Sequence, residues 1–203
     1  MRLLAGHLTV DDLDDLLATL DDIAAETNTT IQTFDADYVV SEAHLERALA
    51  HADRAIDRGE NVARERAVEV LCYAAGRRQI NRALAMGVAE GENRVVLLVD
   101  SLAGDDVHES RSDSVANEGQ SPSRNRKPSA SGDNQNALRS GDAAEAEAIE
   151  ALRDHVDEAP VLGTYDEDAV REFFDIGDAE LAAVEGDLAD LVLERVALLD
   201  VEK

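Results

Sequence analysis

The stretch Gly76-Arg77-Arg78-Gln79-Ile80 sets the end of one helical pattern directly against the start of the next. A helix start carries unpaired backbone N–H groups and a partial positive charge, which together favour an anion, and guanidinium groups can fork onto phosphate oxygens. The spacing predicts that Arg77 and Arg78 converge on one such anion, with Arg82 one turn beyond Arg78 on the same face. Gln79 offers an amide able to read a base edge, and Ile80, with Leu84, an apolar surface for a base to pack on. The chemistry is recognition of a phosphate-bearing chain, assigned to Gly76, Arg77, Arg78, Gln79, Ile80 and Arg82. Spacing alone is equally compatible with a solvated turn whose arginines pair with nearby acids.

Other chemistries find less support. His44 and His51 are seven residues apart on one helical pattern, so about 10.5 Å along its axis. Ligands of one zinc must each come within about 2.1 Å of it, which these two cannot do unaided, and the expectation is no metal site. The acidic runs Asp11-Asp12, Asp14-Asp15 and Asp21-Asp22 lack the spacing and the glycine of a calcium loop and read as a solvated face with helix N-terminal acids. No glycines take the GxGxxG or GxxxxGK[ST] spacing, and there is no GxSxG elbow. The single cysteine, Cys72, sits in an apolar helical stretch without a histidine nearby in sequence. We therefore expect a non-catalytic chain without a cofactor. A small-molecule enzyme would need a polar cleft around His44 or His51.

The net charge is −26, from 45 acidic against 19 basic residues, which ordinarily argues against nucleic acid. Acids are spread through every segment, and all basic residues except Lys127 and Lys203 are arginine. That pattern fits a cytoplasm holding molar salt, where the screening length shrinks to about 3 Å. Within residues 47–82, however, eight arginines face five acids, so the basic character is local. A lone cysteine and no long apolar run point to a cytoplasmic chain with no membrane association, and no DNA partner is expected.

The elements that must position the turn follow from periodicity. Met1–Val10 reads as a strand, with Thr9 as a possible cap for a helix whose apolar positions run from Leu13 to Ala24. Ile31–Phe34 is a second strand, resuming at Tyr38–Val40. Ser41 caps a helix ending before Gly59, Asn61 caps another ending at Gly76, and a short one with Ile80, Ala83 and Leu84 inward stops at Gly87. Val95–Val99 is apolar on both alternating faces, as for a central strand covered on both sides. Residues 104–141 are rich in Ser, Asn, Gly and Asp with almost no apolar residue, and read as a disordered polar insertion. It divides one domain into 1–103 and 142–203. Beyond it come a helix over Ala143–Val156, an edge strand at Val161-Leu162 after Pro160, and helical pieces, with Asp166 as a cap. The last piece, Leu188–Leu199, fits helix or strand. The class is α+β, a small mixed sheet packed with several helices.

The blocks 31–55, 59–88 and 191–203 carry Phe34-Asp35, His44-Leu45, Asn61-Val62-Ala63, Glu69-Val70-Leu71 and Gly76 with Gln79-Ile80. Together these closely resemble the CGI-121/TPRKB family of small KEOPS-complex subunits, in a haloarchaeal form. The resemblance implies a mixed α/β accessory protein without catalysis, bound to the kinase-like ATPase of KEOPS. It further implies help in recruiting tRNA by its 3′ CCA end for threonylcarbamoyladenosine modification. Departures are the long insertion and the extreme acidity. A competing reading is an adaptor that only docks on the kinase-like partner, through an apolar helical face at Leu191, Val192 and Val196.

Overall fold

A computed structural model describes residues 1–101, 141–184 and 186–200. The insertion expected over 104–141 lies outside the described residues except for Gly141, which already belongs to a helix. Strand β1 (Arg2–Val10) leads through helix α1 (Leu13–Thr27) to β2 (Thr29–Asp35). A 3-10 turn (Ala36–Tyr38) is followed by α2 (Glu42–Asp57), α3 (Arg66–Ala74) and α4 (Ile80–Ala83). Then come β3 (Gly91–Ser101), α5 (Gly141–Leu152), the two-residue β4 (Asp157–Glu158), α6 (Glu167–Phe173), α7 (Asp178–Ala183) and α8 (Leu188–Leu198).

The sheet order is β2-β3-β1-β4. β3 slots between β1 and β2, pairing Arg2 with Val99 on one side and Thr29 with Ser101 on the other. This splits the parallel pair that a β-α-β unit would make, so every neighbouring contact is antiparallel and the sheet is not mixed. The fold class is α+β, as expected.

Val95–Val99 form the centre, as their composition requires, and successive side chains go to opposite faces. Val96 and Leu98 join Phe34 and the residues of α2, α3 and α8 in one core. Val95, Leu97 and Val99 join Leu4, Leu8 and Leu20 under α1 and α5 in the other. Burying each such side chain stabilises the fold by about 1.5–3 kcal/mol. A third cluster (Val40, Val170, Phe174, Ile176, Leu188, Leu191, Val192) fastens the C-terminal helices together.

Several local expectations are corrected. β1 runs through Thr9, and α1 is capped by Asp12, whose carboxylate accepts from the N–H groups of Asp14 and Asp15 at 2.9 and 3.1 Å. Tyr38 closes the 3-10 turn started by Asp35, so no strand resumes there. Asn61 caps nothing, because the chain folds back first. Buried Glu69 accepts the N–H groups of Val62 and Ala63 at 2.9 and 2.7 Å, and α3 starts only at Arg66. Leu84 points outward at 54% exposure while Met86 turns in. α5 ends at Leu152, and the edge strand is Asp157–Glu158, since Val161 is held in a turn by the N–H of Thr164 donating to its carbonyl. Leu188–Leu198 is a helix, fixed by reciprocal capping between Asp187 and Asp190.

The residues flanking 102–140 are adjacent. A Cβ built on Gly141 would lie 2.4 Å from the Ser101 hydroxyl, and the Glu145 carboxylate accepts the Ser101 N–H at 3.2 Å.

Candidate nucleic-acid interface

Gly76 ends α3 as its position in the pattern predicts. It takes φ +58°, and the last turn closes with Gly76 N–H donating to Tyr73 and Arg77 N–H to Cys72, both at 3.0 Å. That pairing leaves the Ala74 carbonyl without a helical partner, and His44 of α2 supplies one through Nε2 at 2.8 Å. His44 is fully buried, edge-on to Phe174, and its Nδ1 has no hydrogen-bond partner. Burial pushes its imidazole down to about 4, so the ring is neutral near pH 7 and donates through Nε2–H. His44 therefore fixes the turn that carries the arginines.

The two arginines part instead of converging. Arg77 donates to the Phe173 carbonyl, lies over the Phe173 ring at 5.7 Å and stands 3.7 Å from the Asp175 carboxylate. It lines a cleft of about 230 Å³ with Gly76, Phe174, Asp175, Arg195, Leu198 and Leu199. Arg78 turns the other way, into a small pocket beside Glu60, Glu69, Cys72 and Tyr73, where its Nη1 is buried without a hydrogen-bond partner. Arg77 and Arg78 thus line two different pockets, with Leu199 common to both. Gln79, Arg82 and Leu84 are exposed and Ile80 is half-buried. α4 spans four residues, and Gln79 provides it no side-chain cap.

The cleft's other wall was not foreseen in the sequence. Asp175 adopts φ +56° after α6, and Arg195 of α8 donates to the Phe174 carbonyl at 3.3 Å and to Glu180 at 2.7 Å. These residues lie far from Gly76 along the chain, and no local periodicity could have joined them to it. A Cβ on Gly76 would meet Arg195 Cβ at 3.4 Å, which shows how closely α8 approaches.

Leu191, Val192 and Val196 are 2%, 0% and 0% exposed. They hold α8 against α2 and the C-terminal cluster, so as folded they have no surface to give a partner. The outward residues of α8 are Asp190, Glu194 and Leu198, the last 39% exposed. Tyr73 is a core residue, 2% exposed, with its ring stacked on His51 at 5.8 Å between centroids. Cys72 is 1% exposed and its thiol is raised to about 11 by burial and then by the charge of Glu69, so it stays protonated. Among the described residues no group of three or more His, Cys, Asp or Glu is placed to hold a metal, and no helix is long and apolar enough to cross a membrane.

A comparison with curated proteins returns no match. A family model described as "Kinase binding protein CGI-121" matches residues 9–200, a span that takes in both sheet faces, the Gly76 turn and α8. With nearly the whole chain covered, this protein belongs to the CGI-121 family of kinase binding proteins.

Proposed function

We propose that the chain is a non-catalytic accessory subunit of the KEOPS complex. It docks on the kinase-like ATPase of that complex and helps bring tRNA, by its single-stranded 3′ CCA end, to threonylcarbamoyladenosine modification performed by other subunits. The observation carrying this reading is the family match over residues 9–200. The turn within that span supports it: Arg77 opens onto a cleft that also holds Arg195 and Leu198, and Gln79, Arg82 and Leu84, next along the chain, are exposed. Phosphates, an unstacked base and an amide-readable edge are what a frayed RNA end presents. The working setting is a cytoplasm of high salt, inferred from the net charge of −26. There phosphate contacts weaken, and apolar packing on Leu84 and Ile80 carries more of the binding.

One observation favours a second reading, an adaptor that regulates the kinase-like partner without touching RNA: Arg77 is already engaged by the Phe173 carbonyl and Asp175. Binding of tRNA in molar KCl separates the two. Arg77→Glu with Arg78→Glu, and separately removal of the CCA end, should each weaken binding at least tenfold. Unchanged binding in both experiments rejects the RNA role, and retention of the kinase-like partner by that double variant then leaves the adaptor.

A further inference from the structure

The cleft beside Gly76 has a lining that suits a base better than a phosphate. Each of its two cations has a carboxylate at hand. Arg195 Nη2 donates to both oxygens of Glu180, at 2.7 and 2.9 Å, and its Nε donates to the Phe174 carbonyl at 3.3 Å. Arg77 Nη2 donates to the Phe173 carbonyl and stands 3.7 Å from Asp175. Two guanidiniums facing two carboxylates leave little net charge to draw a phosphate, and molar salt screens what remains.

What the cleft does offer is apolar and flat. Leu198, 39% exposed, lines it with buried Phe174 and Leu199, and Gly76 contributes backbone with no side chain. The Arg77 guanidinium lies over the Phe173 ring at 5.7 Å, and Phe173 in turn packs on Tyr38 and on Phe174, with centroids 5.0 Å apart in each pair. A planar, weakly hydrated cation held on an aromatic ring is a stacking surface for an unstacked base. The volume of about 230 Å³ lies below the range of about 300–1,000 Å³ typical of drug-sized ligands, so it admits one small planar group. Asp175 stands at the rim with its side chain 85% exposed, which leaves acceptor positions open beyond the one near Arg77. It does so at φ +56°, where glycine is the usual residue at a helix end.

Given the RNA reading above, on which this rests, we propose that the cleft receives one unpaired nucleobase of single-stranded RNA, stacked on Arg77 and packed on Leu198. Asp175 then selects a base with an exocyclic amino group by accepting one of its N–H bonds. Adenine and cytosine present that donor on the edge where hypoxanthine and uracil present a carbonyl oxygen, which would face the carboxylate as a second acceptor. The cleft thus takes the base and not the phosphate. The engagement of Arg77 by the Phe173 carbonyl and Asp175 steadies such a platform, whereas a phosphate ligand would have to break it.

Fluorescence anisotropy across a KCl series up to molar salt is the test. The probes are a single-stranded RNA ending in CCA, the same RNA with uridine for one or the other cytidine, and the same RNA with inosine for the adenosine. The wild-type protein should bind one of the substituted RNAs about tenfold more weakly than the parent, the effect of one lost hydrogen bond to a charged acceptor. Asp175→Asn keeps a residue suited to the left-handed conformation, and its amide donates as well as accepts. It should bind that RNA within about twofold of the parent. Because the comparison is a ratio, the charge removed from the protein cancels. Arg77→Ala and Leu198→Ala should each weaken the parent complex about fivefold, with the slope of log affinity against log salt unchanged. Equal binding of every RNA by the wild-type protein overturns the base assignment and leaves the RNA role standing, whereas binding of none removes both. A slope shallower by about 0.7 in Arg77→Ala, the mark of one lost phosphate contact, also overturns it. So does full discrimination retained by Asp175→Asn. If Leu198→Ala releases the kinase-like partner and leaves RNA affinity unchanged, the cleft belongs to a protein interface and the base assignment falls.

Discussion

Acid should weaken this fold through one imidazole, and replacing His44 with glutamine should remove that weakness. Burial holds His44 at about 4 in the folded chain, against 6.5 for an exposed imidazole. Between those values the unfolded chain binds one more proton than the folded one, so stability rises with pH there. It is therefore present in full above about pH 6.5 and lost progressively as pH falls toward 4. The whole difference is about 3 kcal/mol, and going from about pH 7 to about pH 5 removes about 2 kcal/mol. The physical cause is visible: a protonated ring would carry a buried charge, and its Nδ1 has no acceptor. A glutamine amide can still donate to the Ala74 carbonyl but does not titrate. Urea unfolding of both proteins at fixed high KCl, from about pH 7 to about pH 4.5, reads the effect as a difference in slope. The many carboxylates contribute equally to the two curves and cancel. Parallel curves would refute the reasoning, as would a His44 ring resonance titrating near 6.5 in the native protein.

Three further outcomes follow from neighbouring contacts. Gly76→Ala places a side chain at φ +58° and should lower stability by about 1–2 kcal/mol, measured by thermal unfolding; an unchanged midpoint would contradict the left-handed turn. Glu69→Ala strips acceptors from two backbone N–H groups, one of them buried, and should cost about 2–3 kcal/mol in urea unfolding, with Glu69→Gln falling between. Cys72, 1% exposed and raised to about 11, should resist iodoacetamide at about pH 8 until urea unfolds the chain. Rapid labelling of the native protein would mean that α3 is not packed as described.

How much of this was legible in the sequence depended on how far each signal had to reach. Val95–Val99 announced a strand covered on both faces because every position is apolar, and Ser41, Gly59, Asp166 and Gly76 marked helix ends through chemistry that acts within one turn. α8 was ambiguous because its apolar residues satisfy both periods; the Asp187–Asp190 capping decides it. β4 was illegible, since Asp157-Glu158 has no strand preference and pairs only because Gly6 lets it approach. A Cβ on Gly6 would lie 2.3 Å from the Asp157 carbonyl oxygen. The direction of Arg77 was equally out of reach, because its partners Phe173 and Asp175 come from a helix end that sequence places nowhere near it. The apolar stripe of α8 was visible, but not that Leu191, Val192 and Val196 would spend it on the chain's own core.

The meeting of Ser101 and Gly141 has a consequence for how such a chain can vary. Whatever joins them begins and ends at one spot on the rim of the sheet, so its length is decoupled from the geometry of everything else. Loop-closure entropy grows only as the logarithm of length, so doubling the connection costs about 0.6 kcal/mol. That junction is thus a natural splice point. A fluorescent domain or a four-residue bridge could be grafted there in place of residues 102–140, leaving the hydrogen bond between Ser101 and Glu145 as the hinge pin.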